Sequence, residues 1–136
     1  MRLFSRLFVV SLFVFNASSA FAQLCPGVAD PCVISTSQTI ASGTLLDIGT
    51  RDLVVASGVT LTVNGLGTLT IAADDVTFAD NAKILADGME GFGGDILIDA
   101  TGAVTMNPGS RIDVQAAFGG SISITAESVQ MNGQLK

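Results

Sequence analysis

The sequence has 136 residues, of which 49% are hydrophobic and 13% are charged, and it contains no His, Trp or Tyr. Without His the chain lacks both the usual general base near neutral pH and the commonest metal ligand, which excludes a Ser-His-Asp hydrolase and a His-ligated metal site. Six Lys and Arg residues against twelve Asp and Glu residues argue against a nucleic-acid-binding surface, which needs clustered basic residues. The length sets a ceiling of one domain.

Residues 1–22 have the features of a secretory signal peptide. Two arginines precede a largely apolar run at 7–15, and Ala20 and Ala22 are small residues at the two positions that a signal peptidase reads. A membrane anchor is the alternative, but the apolar run has about half of the roughly 20 residues needed to span a bilayer. We expect cleavage between Ala22 and Gln23, which predicts a secreted or cell-surface protein of bacterial type with no membrane span in the mature chain.

Export makes the two cysteines informative. Cys25 and Cys32 follow the predicted cleavage site and enclose two prolines and a glycine, which favour a tight turn. In an oxidising compartment such a pair predicts a local disulfide. A redox-active or metal-binding pair is the alternative, although the spacing and the lack of further Cys or His argue against it.

From Ile48 onward, apolar and polar residues alternate in short runs separated by Gly, Asn and Asp, a pattern typical of strands and turns. The pattern also repeats. Each copy begins with an apolar-x-apolar pair, and a second such pair starts five or six residues after the end of the first. In the first three copies, a third pair starts eight residues after the start of the second. The first pairs are Leu46/Ile48, Leu69/Ile71, Ile96/Ile98 and Ile122/Ile124; the second are Leu53/Val55, Val76/Phe78, Val104/Met106 and Val129/Met131; the third are Leu61/Val63, Ile84/Ala86 and Ile112/Val114, with Leu135 in the last copy.

The second pairs open 23, 28 and 25 residues apart, and three short strands in such a repeat describe one coil of a parallel β-helix. We therefore predict an all-β fold, a parallel β-helix (β-solenoid) of about three to four coils, and expect the right-handed form. An antiparallel sandwich would share the alternation but would not require matched offsets in every copy. In the β-helix, the first pairs should stack inward, with Leu46 next to Leu69 and Ile48 next to Ile71.

Three parts follow from this interpretation: a signal peptide at 1–22, an N-terminal cap with the disulfide at 23–45, and β-helix repeats at 46–136 with the last coil incomplete. Longer glycine-rich turns at 87–94 and 116–120 occupy equivalent positions, where we expect glycine to supply positive φ. Because the last copy stops partway through a coil, we expect either an N-terminal fragment of a longer protein or an open edge that is used for self-association.

Four segments, 93–100, 104–107, 110–112 and 119–126, resemble the repeat region of filamentous-haemagglutinin-like adhesins and related bacterial surface β-helix proteins. The shared motif is Gly-Gly followed by alternating apolar residues. The resemblance extends over about residues 53–136. It implies an exported fibrous protein engaged in attachment, with a host surface, a carbohydrate or another cell-surface ligand as its partner.

Acidic residues crowd one part of the chain without the spacing of a calcium loop, so we interpret them as a solvated surface, with a bound cation as the alternative. Lys83 and Arg111 are predicted at equivalent outward positions one coil apart. Phe92 and Phe118 are apolar where the register predicts turns, so they either cover neighbouring turns or form a small contact patch. The crowded acidic residues are Asp74, Asp75, Asp80, Asp87, Glu90, Asp95 and Asp99.

The sequence supplies no catalytic, cofactor-binding or metal-ligating residue that we can assign, and we predict a protein that is not an enzyme. The leading hypothesis is an exported segment of a bacterial surface adhesin-like or structural fibre. One alternative is a fragment of a β-helix polysaccharide-degrading enzyme, which would need acids and a basic residue along one outward groove. The other is a small self-assembling β-solenoid.

Overall fold

A computed structural model describes residues 24–25, 27–86 and 91–136. The predicted signal peptide, with its cleavage site between Ala22 and Gln23, lies outside the described residues. The described part is all-β and has 14 strands in three sheets. Sheet A contains β1 (Cys32–Ile34), β4 (Leu53–Val55), β7 (Val76–Phe78), β10 (Ala103–Met106) and β13 (Ser128–Met131); sheet B contains β2 (Gln38–Ala41), β5 (Thr60–Asn64), β8 (Lys83–Leu85), β11 (Arg111–Asp113) and β14 (Gln134–Leu135); sheet C contains β3 (Leu45–Asp47), β6 (Thr68–Ala73), β9 (Asp95–Ala100) and β12 (Ile122–Thr125).

The chain visits the three sheets in the order A, B, C and then starts the next coil. All strand pairs within the described sheets are parallel, and each strand pairs with its counterparts one coil earlier and one coil later. Four complete coils and two strands of a fifth are present in the described ranges. The predicted parallel β-helix is therefore confirmed, and the antiparallel sandwich is excluded.

Inward side chains form the core, and most of the predicted columns are confirmed. In sheet A, Leu53, Val76, Val104 and Val129 are register partners in successive coils. The first three are fully buried. Each coil thus covers the apolar side chains of its neighbours, at roughly 1.5–3 kcal/mol for a fully buried large aliphatic side chain.

The predicted register of the first coil in sheet C is wrong by two residues. Leu46 pairs with Ile71 rather than with Leu69, and the backbone N–H of Ile48 donates to the carbonyl of Ala72, so Ile48 lies opposite Ala73. In the later coils the predicted columns hold, because Leu69 pairs with Ile96 and Ile71 pairs with Ile98. A shift of two residues keeps the same side chains inward, which is why the alternation did not reveal it.

The stacked strands begin before residue 46. Strand β1 pairs with β4 and β2 pairs with β5, so the segment assigned to the cap from sequence carries two strands of the first coil. What covers this end of the core is the short segment before β1. Leu24 and Cys25 are buried there, and the Cys25–Cys32 disulfide is present with its Cα atoms 5.5 Å apart.

The turn between sheets A and B repeats one backbone conformation. Gly58, Asn81 and Gly109 have φ angles of 71°, 61° and 75°, the left-handed region that Gly and Asn tolerate best. The N–H of Gly58 donates to the carbonyl of Asp80, and that of Asn81 donates to the carbonyl of Pro108. Equivalent turns are thus stacked by hydrogen bonds between coils.

Candidate functional site: the corner between sheets B and C

Two long turns leave the coil at the corner between sheets B and C. In the first two coils this turn has only three residues, 42–44 and 65–67. In the third and fourth coils it spans 86–94 and 114–121. Both insertions predicted from sequence therefore occur at the same corner and in neighbouring coils, while the strands on either side keep their register.

Backbone hydrogen bonds close the base of each long turn. The N–H of Gly94 donates to the carbonyl of Ala86 over 2.8 Å, and the N–H of Gly120 donates to the carbonyl of Val114 over 3.1 Å. Each turn therefore leaves the coil and returns to the same point, and the strand that follows starts in register.

The two turns also pair with each other, and this pairing positions two aromatic side chains. The N–H of Gly93 donates to the carbonyl of Phe118, and the N–H of Phe118 donates to the carbonyl of Gly91, each over 2.7 Å. This short parallel bridge joins Phe92 to Phe118. The rings stack with centroids 4.9 Å apart and planes 21° apart.

The two rings remain exposed to solvent. Phe92 is 47% exposed and Phe118 is 63% exposed, so neither side chain serves mainly as a cover for a neighbouring turn. Of the two interpretations drawn from sequence, the geometry favours the contact patch. An aromatic pair of this kind is stabilised by about 0.5–1.5 kcal/mol beyond its buried area.

The aromatic pair belongs to a longer apolar feature, which we call the corner ridge and define as Leu45, Leu66, Phe92 and Phe118. Each of the four complete coils contributes one of these side chains, at or next to the turn between sheets B and C. Leu45 and Leu66 are 57% and 56% exposed. Leu45 pairs in register with Thr70, so it lies on sheet C beside the corner and not directly above Leu66.

Sequence reasoning identified the two phenylalanines but missed Leu45 and Leu66. Leu66 had a usable signal, since it stands between two glycines, Gly65 and Gly67, in a three-residue turn where a large apolar side chain is out of place. Leu45 had a signal too, since the predicted inward pair Leu46/Ile48 places it on the outward face, and the burial of β3 confirms that assignment.

The two sides of the corner ridge differ in charge. On sheet C, Asp95 lies at the start of β9 next to this corner, whereas Asp47 and Asp99 both pair with Ala72 at the far end of the sheet. The strands of that sheet contain no Lys or Arg within the described residues. On sheet B, the predicted equivalence of Lys83 and Arg111 is confirmed by their register. The Arg111 Nε atom lies 3.4 Å from Asp113 Oδ2, a partly exposed pair of small energetic value.

Several carboxylates, among them that of Asp75 from the crowded acidic residues, serve as hydrogen-bond acceptors between coils. The Asp30 carboxylate accepts the N–H of Asp52, the Asp52 carboxylate accepts the N–H of Asp75, and the Asp75 carboxylate accepts the N–H of Ala103 over 2.6 Å. This ladder follows the corner between sheets C and A. These carboxylates therefore have a structural use that the sequence did not indicate.

Asp95 plays a similar part beside the corner ridge, because its Oδ1 atom accepts hydrogen bonds from both the N–H and the hydroxyl of Ser121 at 2.8 Å. In the described ranges, no three His, Cys, Asp or Glu side chains come together in a way that could hold a metal ion. Asp87 and Glu90 lie outside the described residues. No helix able to span a bilayer occurs in the part of the chain that the structure describes.

A second feature lies at the N-terminal end, where Arg51 fastens the disulfide segment to the first coil. Its guanidinium Nη1 donates to the carbonyls of Gly27 and Ala29 at 3.2 and 3.3 Å. A small open cavity of about 220 Å³ lies beside the disulfide and is lined mainly by apolar atoms. These hydrogen bonds hold the disulfide segment over the end of the core, and they use the Arg51 guanidinium as a donor to backbone carbonyls.

Comparison with known proteins returned no relative: no protein-family model, curated protein or solved structure matches the chain.

Proposed function

We propose that the protein is an exported, non-enzymatic β-solenoid of the adhesin-like type, which attaches to a partner through the corner ridge. The observation that carries the proposal is the ridge itself, one exposed apolar side chain in each of four successive coils. The signal-peptide features of residues 1–22 and the resemblance of the repeats to bacterial surface β-helix proteins support the same conclusion.

The corner ridge is not needed to complete the core. The inward columns of the inner coils are fully buried without it, and Phe92 and Phe118 project on turns whose bases are already closed by backbone hydrogen bonds. Exposed apolar side chains that gather along one corner favour association with a partner. The paired long turns hold Phe92 and Phe118 together on a rigid stack of parallel strands, which suits a surface built for attachment.

Attachment can be tested with the complete chain produced with its own signal peptide. Purified protein is coupled to latex beads, and the beads retained by cultured epithelial cells are counted after washing. We expect the double variant Phe92→Ser/Phe118→Ser to lose at least tenfold in retention while keeping its β-rich circular dichroism spectrum. The matched control, Thr77→Ser/Thr105→Ser, changes two outward residues on sheet A and should be retained like the parent. Equal retention of the parent and both variants would overturn the proposal.

A second candidate function, self-association through the last coil, is favoured by one observation. Val129, Met131 and Leu135 occupy inward positions but are 47%, 41% and 42% exposed. Strands β13 and β14 also carry no charged residue, and charged side chains are a common protection against edge pairing. Sedimentation velocity should then show a dimer that Met131→Lys dissociates. A monomer at all concentrations would rule this candidate out.

A further inference from the structure

The cavity beside the disulfide has one charged side chain in an otherwise apolar wall, and we infer that it binds a small carboxylate that carries a short hydrocarbon chain. The cavity lies in the first coil, at the N-terminal end of the corner between sheets C and A. This is a different corner from that of the corner ridge, so the inference goes beyond the proposed function. The lining residues are Cys25, Ala29, Pro31, Cys32, Val33 and Arg51.

Three backbone carbonyls fix the position of the Arg51 guanidinium. Its Nε atom donates to the carbonyl of Ile48 over 3.3 Å, and its Nη1 atom donates to the carbonyls of Gly27 and Ala29. A guanidinium has five N–H donors, and the two on Nη2 make no hydrogen bond to the described residues. Arg51 therefore holds the disulfide segment in place and still has donors left for a ligand.

The charge of Arg51 has no counterion in the described part of the chain, whose one ion pair lies on sheet B. The nearest carboxylates along the sequence are used elsewhere, because that of Asp30 accepts the N–H of Asp52 and that of Asp52 accepts the N–H of Asp75. Neutral carbonyls orient a guanidinium without cancelling its charge. A partly buried cation of this kind favours an anionic ligand, and a carboxylate would gain charge-assisted hydrogen bonds from it.

The rest of the wall determines what the carboxylate must carry. The disulfide and the side chains of Ala29, Pro31 and Val33 are apolar, so they suit a hydrocarbon chain better than a sugar or a second charge. The cavity volume of about 220 Å³ corresponds to roughly seven water molecules at about 30 Å³ each. An acid with about eight non-hydrogen atoms, such as hexanoate, is therefore of suitable size.

The cavity is formed before any ligand arrives. One side of it is tied by the Cys25–Cys32 disulfide, and Cys32 belongs to β1, while Arg51 fastens the residues between the two cysteines. A pre-formed site avoids the cost of ordering a loop on binding. Because the ligand is small, we expect a Kd on the order of 1 mM.

Nuclear magnetic resonance can detect binding of this strength and locate it. The complete chain, labelled with ¹⁵N, is titrated with hexanoate at neutral pH, and we expect saturable shifts of the backbone amide resonances of Val33 and Arg51. Hexanol lacks the carboxylate and acetate lacks the hydrocarbon chain, so each should bind at least tenfold more weakly. N-acetyl-leucine has the same chemistry as the C-terminus of a peptide. Binding of either acid supports the site, and the tighter of the two identifies the source of the carboxylate.

Variants at Val33 test whether the ligand lies in the cavity. Val33 is outward and half-exposed, so a charge there leaves the core intact. Val33→Asp should weaken hexanoate binding at least tenfold by repulsion, whereas Val33→Lys should bind hexanoate at least as tightly as the parent. The matched control Thr105→Asp adds the same charge to the same outward column three coils away, and it should have no effect. At about 14 Å along the axis it lies beyond the Debye length at physiological salt.

Four results would overturn the inference. They are the absence of saturable shifts with both acids, binding of hexanol or acetate as tight as that of hexanoate, equal losses in Val33→Asp and Val33→Lys, or equal losses in Val33→Asp and Thr105→Asp. Attachment through the corner ridge is tested separately by the bead assay. The variant Phe92→Ser/Phe118→Ser should bind hexanoate like the parent, so failure of one proposal leaves the other standing.

Discussion

Gly120 lies against Gly94 where the two long turns stack, and a Cβ atom built on Gly120 would overlap the carbonyl oxygen of Gly94. At Gly119, one residue earlier, a Cβ atom would meet open space. Neither Gly119 nor Gly120 has a positive φ, and in the described part of the first long turn only Gly91 does, at 85°. The expectation that glycine serves these turns through positive φ is therefore wrong at 93–94 and 119–120. At Gly120 the reason for glycine is the close approach of two backbones.

Replacing Gly120 with Ala should displace one turn from the other, because the contact is with backbone atoms that cannot rotate away. We expect the free energy of unfolding to fall by about 1–3 kcal/mol, the usual cost of forcing an extra methyl group into a packed site. Gly119→Ala is the matched control and should change it by less than about 0.5 kcal/mol. Urea unfolding of both variants measures the difference, and equal losses would mean that the turns are not packed as described.

Replacing Ile98 with Asp tests the inward column of sheet C. Ile98 is fully buried between Ile71 and Ile124, so the variant places an unpaired charge in the core. We expect a loss of more than about 4 kcal/mol or failure to fold, seen by circular dichroism and thermal unfolding. Thr70→Asp puts the same charge at an outward position of β6 and should leave the chain folded. If the two variants were equally stable, the assignment of inward and outward faces would be wrong.

Much of this fold could be predicted from sequence because each inward column has a fixed offset from the next. The pairs that open with Leu53, Val76, Val104 and Val129 were placed correctly, since each is a single apolar pair bounded by turns. The exception in sheet C has a physical cause. Strand β6 has three inward positions, Leu69, Ile71 and Ala73, so an apolar pair from the first coil fits opposite either the first two or the last two.

The corner ridge could be predicted only in part. Phe92 and Phe118 stood out because they are apolar where the register predicts turns, but nothing in the sequence shows that their rings stack or that they stay exposed. The ladder of carboxylates at the other corner was equally hidden. It depends on Asp52 and Asp75 standing directly above one another, which follows from the register between coils and not from the number of acidic residues.

Replacing Asp75 with Ala tests whether the carboxylate ladder holds the corner between sheets C and A. The Asp75 carboxylate accepts a hydrogen bond from the backbone N–H of Ala103. Without the carboxylate, that N–H can hydrogen-bond only to water. We expect Asp75→Ala to lower the free energy of unfolding by about 1 kcal/mol, while Asp75→Asn, which keeps an acceptor oxygen, loses less. The control is Asp80→Ala, because the Asp80 side chain accepts no hydrogen bond from the described residues. Equal effects at Asp75 and Asp80 would show that net charge, and not the ladder, matters.

The disulfide should stabilise the end of the core that the short N-terminal segment covers. Cys25 is buried, and Cys32 belongs to both the disulfide and β1, so the bond ties that segment to the first coil. Closing a loop of this size stabilises the folded state by about 2.5 kcal/mol in the chain-entropy model. We therefore expect the double variant Cys25→Ser/Cys32→Ser to unfold at lower urea concentration than the parent, and dithiothreitol to lower the midpoint of the parent but not that of the variant. A parent midpoint that does not respond to full reduction, verified by titration of two free thiols, would show that Arg51 and the buried Leu24 hold the end closed without the covalent link.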